Sequence, residues 1–299
     1  MNDQPPGSVT VPRVSIGMPV YNGQRWLEET LQSLRGQTLS DFELIISDNA
    51  STDGTRAICE RHAAEDRRIR YYRNAHNIGA NRNYMAVLAL ARAKYFKWAS
   101  ASDLCDPRLI ERCVAALEAE PDAVLAYPST IVFRDGPEDG APYEGDLSVM
   151  QDSAAARFAY VLCGMQLNNA MSGGVFRTEI LHRIHLGNFR SADIVAMGEL
   201  ALLGKFVRIP ERLFFRRMSE ESSTILQGRS RVERHIEPDA TLPLRWQTWK
   251  YQSGILRSAV FTAPLGSEKA GAVLFALKSM VWARTNLMRD VKAAMRVGR

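Results

Sequence analysis

The strongest constraint in this sequence is a regular alternation of strand and helix signals between residues 14 and 99. Short apolar runs rich in β-branched residues lie at residues 14–20, 42–47, 69–72 and 95–99, and segments with helical periodicity separate them. Strands that alternate with helices at this spacing form right-handed βαβ units. The sequence therefore predicts an α/β fold with a largely parallel, buried central sheet.

Polar side chains follow each of the four predicted strands. Tyr21 and Asn22 follow the first strand, Asp48 follows the second, residues 73–77 follow the third, and residues 100–103 follow the fourth. The carboxyl ends of parallel strands lie at one edge of a sheet, and ligands of such sheets bind there. We therefore expect these side chains to converge on one binding site.

The second half of the chain is less regular. Helices are predicted at residues 109–118, 153–164 and 193–203, and strands at residues 123–127, 130–133, 173–176, 206–209 and 213–216. From Trp246 onward, apolar residues recur at helical spacing and Lys and Arg residues are distributed around them. This pattern predicts a helical, basic C-terminal segment.

The composition excludes several classes of protein. Hydrophobic residues make up 46% and charged residues 24%, which is typical of a soluble globular domain. No apolar run approaches the roughly 20 residues that a membrane-spanning helix needs. The N-terminal residues lack the features of a signal peptide, and the four cysteines form no CxxC pair. We therefore expect a cytoplasmic protein with free thiols.

Charge is distributed unevenly along the chain. Residues 1–150 carry 16 basic and 21 acidic side chains, whereas residues 151–299 carry 22 basic and 12 acidic side chains. A basic C-terminal segment can contact an anionic membrane surface, nucleic acid or a phosphorylated substrate, or it can be a solvated helix face. Because the aromatic residues do not alternate with Arg, nucleic acid is not an expected partner.

Four segments together resemble the glycosyltransferases of family 2, which have the GT-A fold. They are VSIGMPVYNG at 14–23, QSLRGQTLSDFELIISDNASTDGT at 32–55, RNAHNIGANRN at 73–83 and SASDLCDP at 100–107. Each segment alone is weak evidence, but their order and spacing are specific in combination. The resemblance covers roughly residues 13–218. It implies a mostly parallel sheet with flanking helices that binds a nucleotide-diphosphate sugar at the strand ends.

The resemblance assigns residues to the donor site. Asp48 matches the acid that contacts the base, and a carboxylate that accepts from an imide N–H suits uracil or thymine. Pro19 and Tyr21 match positions that line the nucleoside, whereas Asp53 is better interpreted as a turn or N-cap residue. The other residues expected at the donor site are Asn22, Asn77, Gly79, Arg82, Asn83, Ser102, Asp103, Arg216 and Arg217. Arg82 can equally be a solvated helix residue.

The expected metal site departs from the family pattern. Members of the family usually carry an Asp-x-Asp motif at the end of the fourth strand, but this chain, aligned on Pro107, has Ser-Ala-Ser-Asp at residues 100–103. Hydroxyl groups are poor ligands for hard divalent cations, which prefer carboxylate oxygens. Binding of Mg²⁺ or Mn²⁺ is therefore in doubt.

Three interpretations of the altered motif stay open. In the first, Asp103 holds a divalent cation together with phosphate oxygens and water. In the second, the cationic side chains of Arg82, Arg216 and Arg217 stabilise the leaving diphosphate without metal. In the third, catalysis has been lost and only binding survives. We expect an active enzyme in which the metal is weakly bound or absent.

Residues 190–200 resemble the acceptor-side segment of the family, in which an Asp opens a helix beneath the acceptor. Asp193 matches that Asp, and the resemblance therefore makes it the catalytic base, with Glu199 as second candidate. Without the resemblance, Asp193 would be interpreted as an acid that interacts favourably with a helix N-terminus.

The expected organisation is a flexible leader at 1–12, a GT-A domain at 13–240 and a basic helical extension at 241–299. Within the domain, residues 13–107 form the nucleotide-binding half and residues 108–240 the acceptor half. The expected activity transfers a sugar from a UDP- or dTDP-sugar to a saccharide or lipid-linked acceptor with inversion, in bacterial surface glycan or polysaccharide synthesis. The alternative is an inactive nucleotide-sugar or glycan-binding homologue. The extension could hold the protein peripherally at the inner face of the membrane.

Overall fold

The structure is a computed structural model that describes residues 11–164, 168–218, 236 and 246–296. The first 90 described residues contain four strands and three helices. They are β1 (Val14–Val20), α1 (Gln24–Arg35), β2 (Phe42–Asp48), α2 (Thr55–Glu65), β3 (Ile69–Arg73), α3 (Ala80–Ala89) and β4 (Tyr95–Trp98). These strands lie in the order β3-β2-β1-β4 and are all parallel. The predicted α/β class with its parallel βαβ units is confirmed.

The following residues complete the sheet. They form β5 (Leu104–Cys105), α4 (Leu109–Ala119), β6 (Ala123–Phe133), a 3₁₀ turn (Pro137–Asp139), β7 (Ala141–Pro142), α5 (Ala154–Gly164), α6 (Asn168–Gly173), β8 (Val175–Arg177), α7 (Thr178–Leu181), α8 (Ala192–Leu203) and β9 (Lys205–Arg217). The sheet continues from β4 in the order β8-β6-β9-β5, and β7 pairs with β6. β8 is antiparallel to both β4 and β6, whereas β6 and β9 are parallel.

In two places the sequence predicts a pair of short strands where the structure has one long strand. The predictions at 123–127 and 130–133 both fall in β6, and those at 206–209 and 213–216 both fall in β9. The predictions were wrong at Pro128 and Pro210, where proline lacks the N–H group that a continuous ladder requires. The sheet accommodates the interruption through shifts of register between Pro128 and Thr130.

The central strands are covered on both faces, as is usual for parallel sheets. Every residue of β2 is buried, and β1 is buried except at Pro19. At Gly17, an added Cβ would lie 2.6 Å from the Phe96 ring and 2.8 Å from a methyl group of Val87. This close approach of α3 to the sheet explains why an apolar strand carries a glycine.

The C-terminal residues form three helices, α9 (Gln247–Phe261), α10 (Ser267–Trp282) and α11 (Arg284–Arg296). The buried residues of α9 and α10 share one apolar cluster with α5 and α8, in which the rings of Phe158 and Phe275 meet edge to face. The helical prediction from Trp246 onward therefore agrees with the structure. The boundary predicted at residue 240 and residues 1–10 of the predicted leader lie outside the described residues. In the described part of the chain, no helix combines the length and hydropathy needed to cross a bilayer.

Replacement of Gly17 by Ala should destabilise the protein by about 1–3 kcal/mol, because the added methyl group overpacks the contact with Phe96 and Val87. Gly36→Ala is the matched control, since its added Cβ would meet no atom closer than 3.4 Å. Urea unfolding midpoints of both variants test this prediction. Equal midpoints would show that α3 can move away from β1 at little cost.

Candidate active site

The turns that follow β1 and β2 are held together by hydrogen bonds. Asn22, whose φ is 51°, accepts from the Thr52 backbone N–H at 2.8 Å and donates its own N–H to the Ser51 hydroxyl at 2.9 Å. The Asp53 carboxylate accepts from the backbone N–H of Gln24 at 3.1 Å. Asn22 and Asp53 therefore shape the edge of the site, and Asp53 has the turn role that its sequence position indicates.

Asp48 lies at the end of β2 and is fully buried. Its Oδ1 accepts from the Ser51 backbone N–H at 2.8 Å, and its Oδ2 accepts from the Tyr71 hydroxyl at 2.8 Å and from the Arg73 guanidinium. Burial and the neighbouring carboxylate raise the pKa of Tyr71. The Asp48 carboxylate, which the resemblance predicts to contact the nucleotide base, thus also holds the side chain of Arg73 in position.

Arg73 belongs to residues 73–77, which the sequence places at the end of the third strand, but no separate role was predicted for it. It lies opposite Asp48 in the register of β2 and β3, and its side chain is 33% exposed. Tyr21, directly after β1, is 49% exposed, and Pro19 is partly buried. A guanidinium at the end of β3 and an aromatic ring after β1, on either side of β2, can flank a planar base.

The turn into α3 is built from amide side chains. Asn77 accepts from the Asn49 side-chain amide at 2.7 Å and from the Gly79 backbone N–H at 2.9 Å. Gly79 has a φ of 86°, a conformation that favours glycine. Asn83 is buried, donates to the Ser47 carbonyl at 2.9 Å and accepts from the Ser47 hydroxyl at 2.6 Å. These bonds give Asn77, Gly79 and Asn83 a structural role, and direct contact with a donor stays a prediction.

Arg82 lies between these amides on the first turn of α3. Its side chain is exposed, and it makes no hydrogen bond or ion pair with the residues that the structure describes. This position leaves its guanidinium accessible to an anionic ligand. Its contact with the diphosphate stays a prediction.

The Ser-Ala-Ser-Asp segment follows β4. The hydroxyl oxygens of Ser100 and Ser102 lie 3.1 Å apart, and Asp103 is buried and accepts from the Arg217 backbone N–H at 3.0 Å. Burial raises the pKa of Asp103, whereas the positive charges of Arg216 and Lys97 oppose that shift. The side chain of Lys97, itself buried, donates to backbone carbonyl groups.

The guanidinium of Arg217 faces the protein interior. It stacks on Trp26, with 3.9 Å from its central carbon to the ring centroid, and it donates to the Glu29 carboxylate at 2.6 Å. It also donates to the carbonyl oxygens of Ser102 at 3.1 Å and of Asp135 at 2.6 Å. The side chain is fully buried. This arrangement corrects the prediction that Arg217 contacts the diphosphate, because its donors are committed to the protein.

Arg216 has a different environment. Its side chain is only partly buried and donates to the Asn169 side-chain oxygen. Its positive charge acts on Asp103 and also on Asp193, which lies in the first turn of α8. Burial raises the pKa of Tyr84 to about 12, and the charges of Asp103 and Asp193 contribute to the shift. The charge of Arg216 thus acts on Asp103, Asp193 and Tyr84.

Asp193, the predicted general base, lies at the start of α8. It is partly exposed and follows Ser191, whose left-handed φ of 62° turns the chain into α8. Burial raises the pKa of its carboxyl group, opposed by backbone N–H groups at the start of the helix and by Arg216. A raised pKa makes a carboxylate a stronger base.

Glu199, the second candidate for the base, is buried on α8. Its carboxylate accepts from the Thr262 hydroxyl at 2.6 Å and from the His185 backbone N–H at 3.2 Å. Arg257 lies 3.8 Å from the same carboxylate. These contacts join α8 to α9, so the surroundings of Glu199 favour a structural role.

The residues at the end of β4 do not fit a hard divalent cation. One oxygen of Asp103 is bonded to the Arg217 backbone, and the nearby Arg216 and Lys97 are positively charged. Among the described residues, no group of three or more His, Cys, Asp or Glu side chains could hold a metal ion. The positive charges of Arg216 and Lys97 also oppose the binding of a further cation beside Asp103.

The sheet and the site at its carboxyl edge define a protein of the GT-A type. The family model for glycosyl transferase family 2 matches residues 15–178, which is more than half of the chain. The chain therefore belongs to glycosyltransferase family 2, and the resemblance noted from its motifs is confirmed.

Individual relatives cover parts of the chain. EpsE of Bacillus subtilis is 35% identical over 125 residues, which cover 41% of this chain and 44% of EpsE. Chondroitin synthase of Escherichia coli is 32% identical over 117 residues, which cover 39% of this chain and 17% of that protein. The matched region thus spans less than half the length of either relative.

Two solved structures share the fold. S. aureus TarS in complex with UDP has a TM-score of 0.65 at 15% identity, over 92% of this chain and 73% of that chain. A mannosyltransferase from Pyrobaculum calidifontis, in complex with GDP-Man and Mn²⁺, has a TM-score of 0.50 at 16% identity, over 97% of this chain and 81% of that chain. These neighbours therefore bind nucleotides or nucleotide sugars, and one of them was solved with a divalent cation.

Replacement of Arg217 by Met should destabilise the protein by about 2–4 kcal/mol, because several backbone carbonyl groups lose a charged donor in a buried position. Arg112→Met is the matched control. Its guanidinium pairs with Glu211 at the surface, where ion pairs contribute about 0–1 kcal/mol. Thermal unfolding of both variants tests the difference, and an Arg217 variant as stable as the control would contradict the structural role.

Proposed function

We propose that this protein is an inverting glycosyltransferase that uses a UDP- or dTDP-sugar and needs no divalent cation. The observation that carries the proposal is the position of Arg216 near the end of β9, beside the residue that binds Asp103, in a family 2 fold whose next candidate acid, Asp193, opens α8. The positive charge of Arg216 acts on both carboxyl groups. The carboxyl group of Asp193 has a raised pKa, which suits a base, and Arg216 is a cation that can stabilise the negative charge of a leaving group.

The proposed reaction is a single displacement. The oxygen of an acceptor hydroxyl attacks the anomeric carbon of the donor, and the bond from that carbon to the diphosphate oxygen breaks. The electron pair of the broken bond leaves with the nucleoside diphosphate. Asp193 accepts the hydroxyl proton as the new bond forms. Attack from the face opposite the leaving group inverts the anomeric centre.

Arg216 is the proposed partner of the leaving diphosphate. Guanidinium groups donate paired hydrogen bonds to phosphate oxygens, and a preorganised cation stabilises negative charge that develops in the transition state. The hydroxyls of Ser100 and Ser102 can donate further hydrogen bonds. Arg82, exposed on α3, is the second cation available to the diphosphate. These groups take the place of the cation for which the end of β4 offers no suitable donor set.

The nucleotide base is proposed to lie between Tyr21 and the Asp48–Arg73 pair. Arg73 offers N–H donors to a base carbonyl, and its orientation is fixed by the buried carboxylate. The UDP complex of TarS supports uracil as the base, and the GDP-Man complex of the mannosyltransferase makes guanine the competing assignment.

The proposed acceptor is a saccharide or a lipid-linked saccharide in bacterial surface glycan or polysaccharide synthesis, and the proposed location is the cytoplasm or the inner membrane face. Chondroitin synthase among the relatives supports glycan assembly. The alternative function, binding without catalysis, is favoured only by the serines at 100 and 102. Asp193 with its raised pKa favours retained activity.

Asp193→Asn should lower kcat by about 10²–10⁴-fold and leave nucleotide affinity unchanged, because the amide cannot accept the proton. For the wild type, the rate should fall with decreasing pH at a higher pH than an ordinary Asp would give, since a raised pKa protonates the base earlier. Release of the nucleoside diphosphate in the presence of saccharide and lipid-linked acceptors measures this rate.

The matched control is Asp152→Asn, whose side chain is 99% exposed. It should keep wild-type activity and the same pH profile. If Asp193→Asn retained activity within a few-fold of the control, the base would lie elsewhere. A wild-type protein that binds nucleotide but transfers no sugar to any acceptor would support the binding homologue.

Calorimetric titration of UDP and dTDP should give the same affinity in EDTA as in Mn²⁺, since protein cations already neutralise the diphosphate. Arg216→Met should weaken binding by about 10–100-fold in both buffers, because charge-assisted hydrogen bonds contribute about 1.5–3 kcal/mol. Binding that appears only with Mn²⁺ would make Asp103 a metal ligand. Absence of binding in both buffers would overturn the donor assignment.

A further inference from the structure

An apolar stripe lies exposed along α10. Its members are Leu274, Leu277, Val281 and Trp282, which are 54%, 48%, 59% and 63% exposed. Their spacing of three and four residues places the first three on one side of the helix. The opposite side of α10 is buried through Ala272, Ala276 and Ser279. We call these four exposed residues the outer stripe.

Two more apolar side chains are exposed at the amino end of α10. Phe261, the last residue of α9, is 78% exposed, and Leu265, in the connection to α10, is 83% exposed. Exposed large apolar residues that occur singly need no explanation, but a grouped set on one helix and its connection indicates an interaction surface.

The segment that carries this surface is basic. Residues 246–296 contain eight Lys or Arg and two acidic residues. Glu268 accepts from the Ala155 backbone N–H at 2.7 Å and from the Ser153 hydroxyl at 2.9 Å, at the start of α5. Asp290 accepts from the Thr248 backbone N–H at 2.9 Å. Both acids are thus bound at helix N-termini, whereas Lys278 is exposed beside the outer stripe.

The helices of this surface also contact the proposed acceptor site. Burial, with a contribution from the charge of Asp193, raises the pKa of Tyr251 on α9 to about 12. The side chain of Gln247 accepts from the Arg190 backbone N–H at 2.9 Å, just before α8. At the same end of α9, Trp249 donates to the Leu287 carbonyl of α11 at 3.2 Å. The C-terminal helices therefore connect the exposed surface with the helix that carries the base.

We propose that the outer stripe and the cations around it dock the protein on an anionic lipid surface. Apolar side chains enter the interface between headgroups and acyl chains, and Lys and Arg contact the anionic headgroups. A second copy of the chain is the less favourable occupant, because a symmetric contact would bring two equally basic faces together. This inference rests on the proposed function, and it identifies lipid-linked saccharides as the class of acceptor.

Flotation of the full chain with vesicles tests the proposal. The protein should float with vesicles that contain phosphatidylglycerol at low salt, and much less with pure phosphatidylcholine or at high salt. Lys278→Glu changes the local charge by two and should weaken the partition coefficient by roughly 30-fold. Leu277→Glu should weaken it by roughly tenfold or more, since it also removes an inserted side chain.

The matched controls are Lys94→Glu and Val11→Glu, which alter exposed residues outside the C-terminal helices. Both should float like the wild type, and thermal unfolding should show that all four variants are folded. Failure of the wild type to float at low salt, or equal flotation of Leu277→Glu, would overturn the proposal. Sedimentation that shows a dimer of the wild type and a monomer of Leu277→Glu would assign the surface to a second copy instead.

The proposed function and the docking fail in different ways. A protein that floats but neither binds a nucleotide nor transfers sugar would keep the docking surface and overturn the glycosyltransferase assignment. A protein that transfers sugar to soluble acceptors at full rate and never floats would keep the activity and overturn the docking.

Discussion

The arrangement of the site depends on the buried guanidinium of Arg217. It stacks between Trp26 and Phe133 and donates to Glu29 and to carbonyl groups at the ends of two further segments, while its backbone N–H holds Asp103. Because successive side chains of a strand point to opposite faces, fixing Arg217 on one face directs Arg216 to the other. Arg216 then acts on both Asp103 and Asp193. An interior cation thereby sets the position of the one that faces the site.

The positive charge around Asp103 supports the proposal that this fold, with serines in place of the usual acids, binds a diphosphate. Two carboxylates would require a cation between them, whereas Ser100 and Ser102 carry no charge. Lys97 inside the sheet and Arg216 beside it supply permanent positive charge next to Asp103. A fixed cation in a partly buried site is screened less by solvent than an exposed one. The serines at 100 and 102 are therefore consistent with the positive charges of Lys97 and Arg216 next to Asp103.

The C-terminal helices link the site to the surface of the molecule. Of these helices, α9 and α10 pack on α5 and α8 through one apolar cluster, and Glu199 joins α8 to α9 through Thr262. The same packing that stabilises the helix carrying Asp193 leaves the opposite side of α10 exposed. In the proposed docking, the helix that carries Asp193 is packed against helices that contact the lipid surface.

The sequence alone predicted the parallel half of the sheet, because its signals are local: β-branched runs, turn residues and helical spacing lie within about ten residues of each other. The family resemblance also assigned Asp48, Asp193 and Arg216 to the site, and these roles stay predictions. Sequence analysis failed where the deciding contact is distant along the chain. Nothing near Arg217 in the sequence shows that it is buried against Trp26, and prolines concealed the continuity of β6 and β9. Lys97 is a charged residue within an apolar strand, and this pattern could have indicated a buried cation near the site. No local pattern in the sequence indicates that Tyr84 lies near Asp103 and Asp193. Strand signals are properties of neighbouring residues, but burial and electrostatic coupling arise only when distant segments pack together.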